Sequence, residues 1–199
     1  LTSKSFYNYA NTVINKNKNV KILKSKVINY DDLKSHCIVK TTDGSFKSAK
    51  VFNSVMDWDS TKNNIKFPLL LQHFEGWVIK TEKENFDPKK ATFMDFSINQ
   101  NSSTQFMYIL PFSKTEALVE YTLFSEHLLE TDKYKSALKD YLSSSGILNY
   151  QIKSRESGKI PMTCYPFFEL NTKNILNIGS AGGWSKPSTG YTFKNIDRN

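Results

Sequence analysis

Glu120 carries the most chemical promise in this chain. It stands in Ala117-Leu-Val-Glu120-Tyr-Thr-Leu-Phe124, an apolar stretch of strand composition. A carboxyl among such neighbours is held neutral to higher pH, because burial penalises its charged form. A neutral carboxyl can donate a proton. The same pattern also suits an outward-facing strand carboxylate. Asp95, between Met94 and Phe96, reads either as a polar lining group or as a solvent-facing strand position. Glu156, just before Gly158, reads first as a turn residue.

A second segment points to ligand binding. Ile175 to Phe193 reads ILNIGSAGGWSKPSTGYTF, an apolar strand running into glycines at 179, 182, 183 and 190. Glycines let backbone amides approach a ligand closely. A helix expected to start near Tyr191 adds a dipole suited to an anion. The loop suits a phosphate or the polar edge of a flavin, and a tight structural turn explains the glycines equally well. No G-x-G-x-x-G follows a strand anywhere in the chain, so a complete dinucleotide fold is not encoded here.

Other chemistries find no support. Cys37 and Cys164 lie far apart and make no metal-like spacing with His36, His73 or His127, so a structural zinc site is excluded. Both cysteines are expected as buried or half-buried reduced thiols of a cytosolic protein. No Ser or Cys nucleophile has a recognisable motif. The formal charge of +8 comes almost wholly from lysine, since arginine occurs only at 155 and 198. Nucleic-acid binders favour arginine and a basic stripe, so the lysines read as a solvated surface or a weak attraction to an anionic membrane.

These residues need a scaffold. The 199 residues, with 14 Phe, 10 Tyr and 3 Trp, suffice for one substantial domain or two small lobes with an apolar core. No apolar run reaches the roughly 18–20 residues of a membrane span, and residues 1–17 carry no secretion signal. The spacing of Phe6, Tyr9, Ala10, Val13 and Ile14 predicts an amphipathic helix over 3–17. A three-stranded meander follows, from Val20–Ile28 through His36–Thr41 to Phe46–Val55, with a tight turn at Asp43-Gly44. Residues 56–66 read as a polar linker. Strands are expected near 69–82, 91–99, 104–112 and 116–126, forming an antiparallel sheet with one wet face. Tyr134, Ala137, Leu138, Tyr141 and Leu142 predict a helix over 132–142, with Thr131 as its N-cap and Gly146 as its stop. A strand near 148–155, a turn at Gly158 and a strand at Ile175–Ile178 complete the series.

Several motifs fall in order: Gln72-His-Phe74-Glu-Gly76-Trp77, Phe93-Met-Asp95-Phe96, Phe106-Met-Tyr108-Ile-Leu110-Pro111-Phe112, Leu118-Val-Glu120-Tyr-Thr122, Glu156-Ser-Gly158-Lys-Ile160-Pro161-Met162 and GSAGGWSKPSTGYTF. Over residues 67–196 this series resembles the bacterial lycopene cyclases, carotenoid-ring-forming flavoproteins. The resemblance implies an α+β fold: the antiparallel-sheet substrate domain of an aromatic-hydroxylase-like FAD flavoprotein, plus a small helix-and-meander lobe. Residues 1–66 then belong to the FAD-domain side, 67–172 to the substrate sheet, and 173–199 to a strand, an FAD-contacting loop and the start of a helix. The N-terminal Rossmann βαβ is expected to be missing, the chain being a central piece of a longer protein.

The implied activity is that of an intramolecular lyase, an isomerase that forms β-ionone rings at the ends of lycopene with reduced FAD and no net redox change. Glu120 becomes the acid, with Asp95 and Glu156 as further catalytic candidates. Gly179, Ala181, Gly182, Gly183, Pro187, Thr189 and Gly190 become the cofactor loop. Phe74, Trp77, Tyr108 and Pro111 become walls of a long apolar tunnel, although the aromatic ones read first as sheet core. The family motif carries a second acid after the glutamate. Tyr121 stands there in this chain, leaving Glu120 to act alone or with a remote partner. The expected partners are lycopene and, peripherally, a membrane surface, with no nucleic acid and no metal; the expected location is cytoplasmic, at the inner face of the membrane. FAD binding by this chain alone is expected to be weak. Two other readings stay open: a non-catalytic module binding an apolar ligand, and a flavin-dependent monooxygenase relative.

Overall fold

A computed structural model of the chain describes residues 3–62 and 64–198. The chain divides into two compact units. The first comprises residues 1–51 with 172–175, and the second residues 52–171 with 176–199.

The first unit opens with helix α1, Ser3–Lys16, close to its predicted span. Its apolar residues Phe6, Tyr9 and Val13 are exposed. Strands β1 (Val27–Asp32), β2 (Cys37–Thr41) and β3 (Gly44–Ser48) then form the expected antiparallel meander. The strand expected from Val20 starts only at Val27, because β2 is too short to partner the preceding residues, and pairing ends at Val27↔Thr41. Asp32 ties the returning segment to the meander. Its carboxylate accepts from the Thr172 hydroxyl and the Asn174 side-chain amide, which hold it down to about 2. Cys37 is buried here, against the Asn174 carbonyl. The expected continuous strand over 46–55 breaks into β3 and a short β4, Val51–Asn53.

In the second unit the predicted linker contains a short helix, α2 (Trp58–Lys62). The main sheet has five antiparallel strands in the order β6-β7-β8-β5-β9. They are β5 (Leu70–Thr81), β6 (Thr92–Asp95), β7 (Thr104–Pro111), β8 (Glu116–Ser125) and β9 (Tyr150–Met162). Three of the predicted strands are found within two residues of their bounds. β6 is short because Met94 adopts a positive φ of 54° and breaks the ladder with β7. β9 differs most. It runs unbroken through Gly158, where a turn was expected, because β5 supplies a full-length antiparallel partner. Gly158 is needed for a different reason: a Cβ there would lie 2.7 Å from Phe74 Cζ on β5. Pro161 is tolerated because β9 is an edge strand.

Helix α3, Thr131–Ser144, covers one face of this sheet. Its buried Tyr134, Leu138 and Leu142 pack with Trp77, Ile79, Met107, Val119, Tyr121 and Leu123. The helix ends as predicted: Gly146 takes φ +75° and Ile147 N–H reaches back to Leu142 O. Its start differs. Glu130 holds the N-cap position without a side-chain bond, and Thr131 is already helical. Cys164 is exposed, against the expectation of burial, and unpaired. After β9 come a 3-10 turn at Phe167–Leu170, strand β10 (Ile175–Asn177), a second 3-10 turn at Gly179–Gly182 and helix α4 (Phe193–Arg198).

Candidate active site

Side chains alternate across a sheet, so the register decides which residues share a face. Tyr108 pairs with Glu120, Glu120 with Gly76, and Gly76 with Glu156. One row across four strands therefore reads Tyr108, Glu120, Gly76, Glu156. The adjacent row on the same face reads Phe106, Thr122, Phe74, Gly158. This face lies opposite α3.

Glu120 is half-buried on it. Burial and the charge of Glu156 push its carboxyl up, while the Thr122 hydroxyl, donating to Oε1 at 2.7 Å, pulls the other way. Glu156 is exposed. Its side chain leans over Gly76, with Oε1 3.4 Å from where a Gly76 Cβ would stand. A remote carboxylate thus faces Glu120, at a position the linear motif does not suggest. Tyr121 points the other way, into the core under α3, where its hydroxyl bonds Gln105. Its burial raises its phenol.

An aromatic wall lies beside Glu120, through its strand partner Tyr108. The Phe106 ring lies edge-on to Tyr108, with centroids 5.1 Å apart, and Tyr108 meets Phe93 at 5.3 Å. Phe96 and Phe124 contact Phe106 on its other sides, at 5.4 and 5.8 Å. Burial and the nearby Glu120 charge raise the Tyr108 phenol, so the ring stays neutral. Ring faces attract a cation. The wall is open at one end, where Phe93, Leu110 and Phe112 are exposed.

The structure brings Glu120, Glu156, Phe74 and Tyr108 together and leaves three other candidates elsewhere. Asp95 pairs with buried Met107 and accepts from Tyr141 of α3 at 2.7 Å and from Ser97 N–H, so it lies on the α3 side, held low by those bonds. Trp77 is buried on that side too, its Nε1–H donating to Glu75 and Arg155 stacked over its ring. Pro111 pairs with buried Ala117 at the end of β7. The same α3 side holds a closed hydrogen-bond chain. Leu129 N–H donates to the Tyr134 hydroxyl oxygen, that hydroxyl donates to His73 Nδ1, His73 Nε2–H to Ser125 Oγ, and the Ser125 hydroxyl to His127 O. Every member has a partner, and burial keeps His73 neutral.

The glycine-rich loop reaches the Glu120 face. Gly183 and Gly190 have φ of +72° and +69°, and Gly179 +58°, conformations that favour glycine. Gly182 has no room for a side chain, since a Cβ would lie 2.3 Å from Asn177 O. Ala181 is buried. Pro187 and Thr189 lie in a tight turn closed by Gly190 N–H to Lys186 O and Lys186 N–H to Tyr191 O. Gly190 sits against Gln72 and Ile160, in the row of the sheet beside Phe74 and Gly158. Gln72 was missed from sequence. Among the described residues its Oε1 is buried without a hydrogen-bond partner, and it presses on Gly190. Only the contact between strand and loop reveals it.

Comparison with known proteins bears on this arrangement. The family profile described as lycopene cyclase protein matches residues 2–199. A lycopene beta-cyclase from Paracoccus sp. is 27% identical over 145 residues, 70% of this chain. The chain spans 37% of that relative's length. A geranylgeranyl bacteriochlorophyll reductase-like protein from Thermoplasma acidophilum superposes with a TM-score of 0.67 at 11% identity, over 96% of this chain and 50% of that one. HpxO of Klebsiella pneumoniae, solved in complex with FAD, superposes with a TM-score of 0.55 at 13% identity, over 84% of this chain and 46% of that one. The α+β fold with its antiparallel sheet is thus shared with both of these proteins.

Proposed function

Because the chain belongs to the lycopene cyclase family, we propose that it supplies the acid-bearing sheet and one flavin-contacting loop of an enzyme that closes β-ionone rings on lycopene. The reaction is a redox-neutral isomerisation started by a proton. It needs a dry acid, surroundings that tolerate a carbocation, and little water. Glu120 suits the first need: half-buried, with burial and a neighbouring anion both favouring its protonated form. The aromatic rings of Phe74, Phe106 and Tyr108 suit the second, presenting π-faces or edges and no nucleophile better than a raised phenol.

The loop residues fit a flavin. Gly190 and the orphaned Gln72 oxygen lie on the Glu120 face, where a planar, polar-edged ligand would meet the loop, and Gly179 leaves open space beside its backbone. Gly179, Ala181, Gly182, Gly183, Pro187, Thr189 and Gly190 would hold it. Bound in reduced form, FAD would supply an electron-rich ring that tolerates positive charge, without net electron transfer. One loop is a small part of a cofactor cradle, so the chain alone binds FAD weakly; tight FAD retention on purification speaks against this.

Among the described residues no helix is long and apolar enough to cross a membrane. A polyene as insoluble as lycopene reaches the open aromatic wall from a bilayer, so the reading includes peripheral contact with a membrane from the cytoplasmic side. The observation that carries the proposal is the placement of Glu120 in an aromatic face that the glycine loop also reaches. Glu120→Gln in the intact protein should abolish ring formation and leave flavin binding in place. A Glu120→Gln protein that still cyclises lycopene overturns the assignment.

A further inference from the structure

Ring closure ends with loss of a ring proton to an acceptor, and this inference rests on the reading of Glu120 as acid. The Glu120 O–H bond breaks as a C–H bond forms at the terminal alkene carbon. The internal alkene attacks the tertiary cation, making the ring C–C bond and moving the positive charge into the ring. A ring C–H bond then breaks, its electron pair becoming the ring C=C bond. That proton needs an acceptor. We propose that Glu156 is the acceptor, and that Gly76 keeps open the gap across which the proton returns to Glu120.

The sheet register supports this pairing. Gly76 is the direct partner of both Glu120 on β8 and Glu156 on β9. Strands lie about 4.8 Å apart, so the two glutamate backbones are roughly 10 Å apart across one intervening strand. Any side chain at position 76 would fill that space. With glycine there, Glu156 folds over the gap, its Cγ 3.1 Å and Oε1 3.4 Å from the place a Cβ would occupy.

The two carboxyls also have opposed environments. Glu120 is half-buried and, among the described residues, hydrogen-bonded only along its own strand, to Thr122. Glu156 is exposed, and among the described residues no hydrogen bond or ion pair engages its carboxylate. Its charge nevertheless reaches Glu120 and raises it. The half-buried carboxyl suits the role of donor, and the exposed one, leaning over Gly76, the role of acceptor. After one ring closes, Glu120 is the anion and Glu156 the acid. Transfer of that proton across the Gly76 gap restores both, and no oxidant or reductant is consumed.

The test uses the intact, flavin-loaded protein and lycopene in liposomes. Glu156→Gln should slow ring formation at least tenfold, in line with the usual worth of a general base. Its residual product should show the ring double bond partly displaced, because the cation then loses whichever proton solvent reaches. Added acetate should restore part of the rate. Retained flavin shows that the variant is folded. A flavin-retaining Glu156→Gln protein with the parent rate and the parent ring isomer overturns the proposal, as does one that is slow but gains nothing from acetate. An active Glu120→Gln protein, by contrast, sinks the acid assignment on which this rests, so the two failures are told apart.

Discussion

The Thr122 hydroxyl donates to Glu120 Oε1 at 2.7 Å, two residues along the same strand. It stabilises the carboxylate, against burial and the Glu156 charge, which favour the acid. Thr122→Val removes that bond and should move Glu120 further up. If protonated Glu120 starts the reaction, the alkaline limb of the pH–rate profile of the intact protein shifts to higher pH. A limb that stays in place removes Glu120 as the titrating acid.

The same displacement has a consequence for stability. A carboxyl raised on folding contributes stability that is fully present below its unfolded value of about 4.5 and is lost as pH rises through its folded value. Glu120→Gln should therefore be more stable than the parent at pH 8, with the difference closing on acidification toward pH 4. Denaturant midpoints at both pH values measure it. A variant less stable than the parent at pH 8 contradicts the burial of the charge.

Gly158 lies under the Phe74 ring, where a Cβ would stand 2.7 Å from Cζ and 2.8 Å from Cε1. Gly158→Ala forces the ring or the edge strand to shift, an overpacking cost of about 1–3 kcal/mol. It should also disturb the wall beside Glu120. Adding Phe74→Leu should recover most of the stability but not the rate, read by chemical unfolding and product formation side by side.

Gly190→Ala meets two obstacles: a φ of +69° and Gln72 Oε1 2.1 Å from the new Cβ. The backbone strain alone costs roughly 1–2 kcal/mol. Flavin affinity of the intact protein should fall, measured by fluorescence titration, and Gln72→Ala in the same chain should restore part of it. A Gly190→Ala protein with full affinity separates the loop from the cofactor.

Tyr134→Phe cuts the chain through His73 on the α3 side and leaves His73 Nδ1 and Leu129 N–H unpaired. Leaving buried groups unpaired should cost about 1–3 kcal/mol, with turnover per folded molecule unchanged, since the chain lies across the sheet from Glu120. In the parent, burial depresses His73 from 6.5, so its stability contribution is present above that value and is lost as pH falls below it. Unfolding midpoints at pH 7.5 and 5.5 check the sign.

Part of this was legible in the residues themselves. The alternation of 104–111 and 116–125 and the stripe Tyr134, Leu138, Leu142 located two strands and a helix, because burial on one face imposes its own period. The glycines at 179, 183 and 190 announced left-handed backbone. Gly158 was misread because a lone glycine signals a turn, and the Phe74 ring that requires it comes from another strand. Trp77 and Asp95 were drawn into the site with their neighbours. Adjacent strand residues point oppositely, and the break at Met94 resets the alternation on β6.

The sequence by itself determined the family and the order of the main strands, since each is written in short-range patterns of residue type. Only the tertiary structure decided that Glu156 faces Glu120 across Gly76, that Tyr121 turns away, and that Gln72 meets Gly190. Those relations depend on strand register and on the face that α3 covers. Both are set by pairing between segments distant in the chain, which no local window of residues encodes.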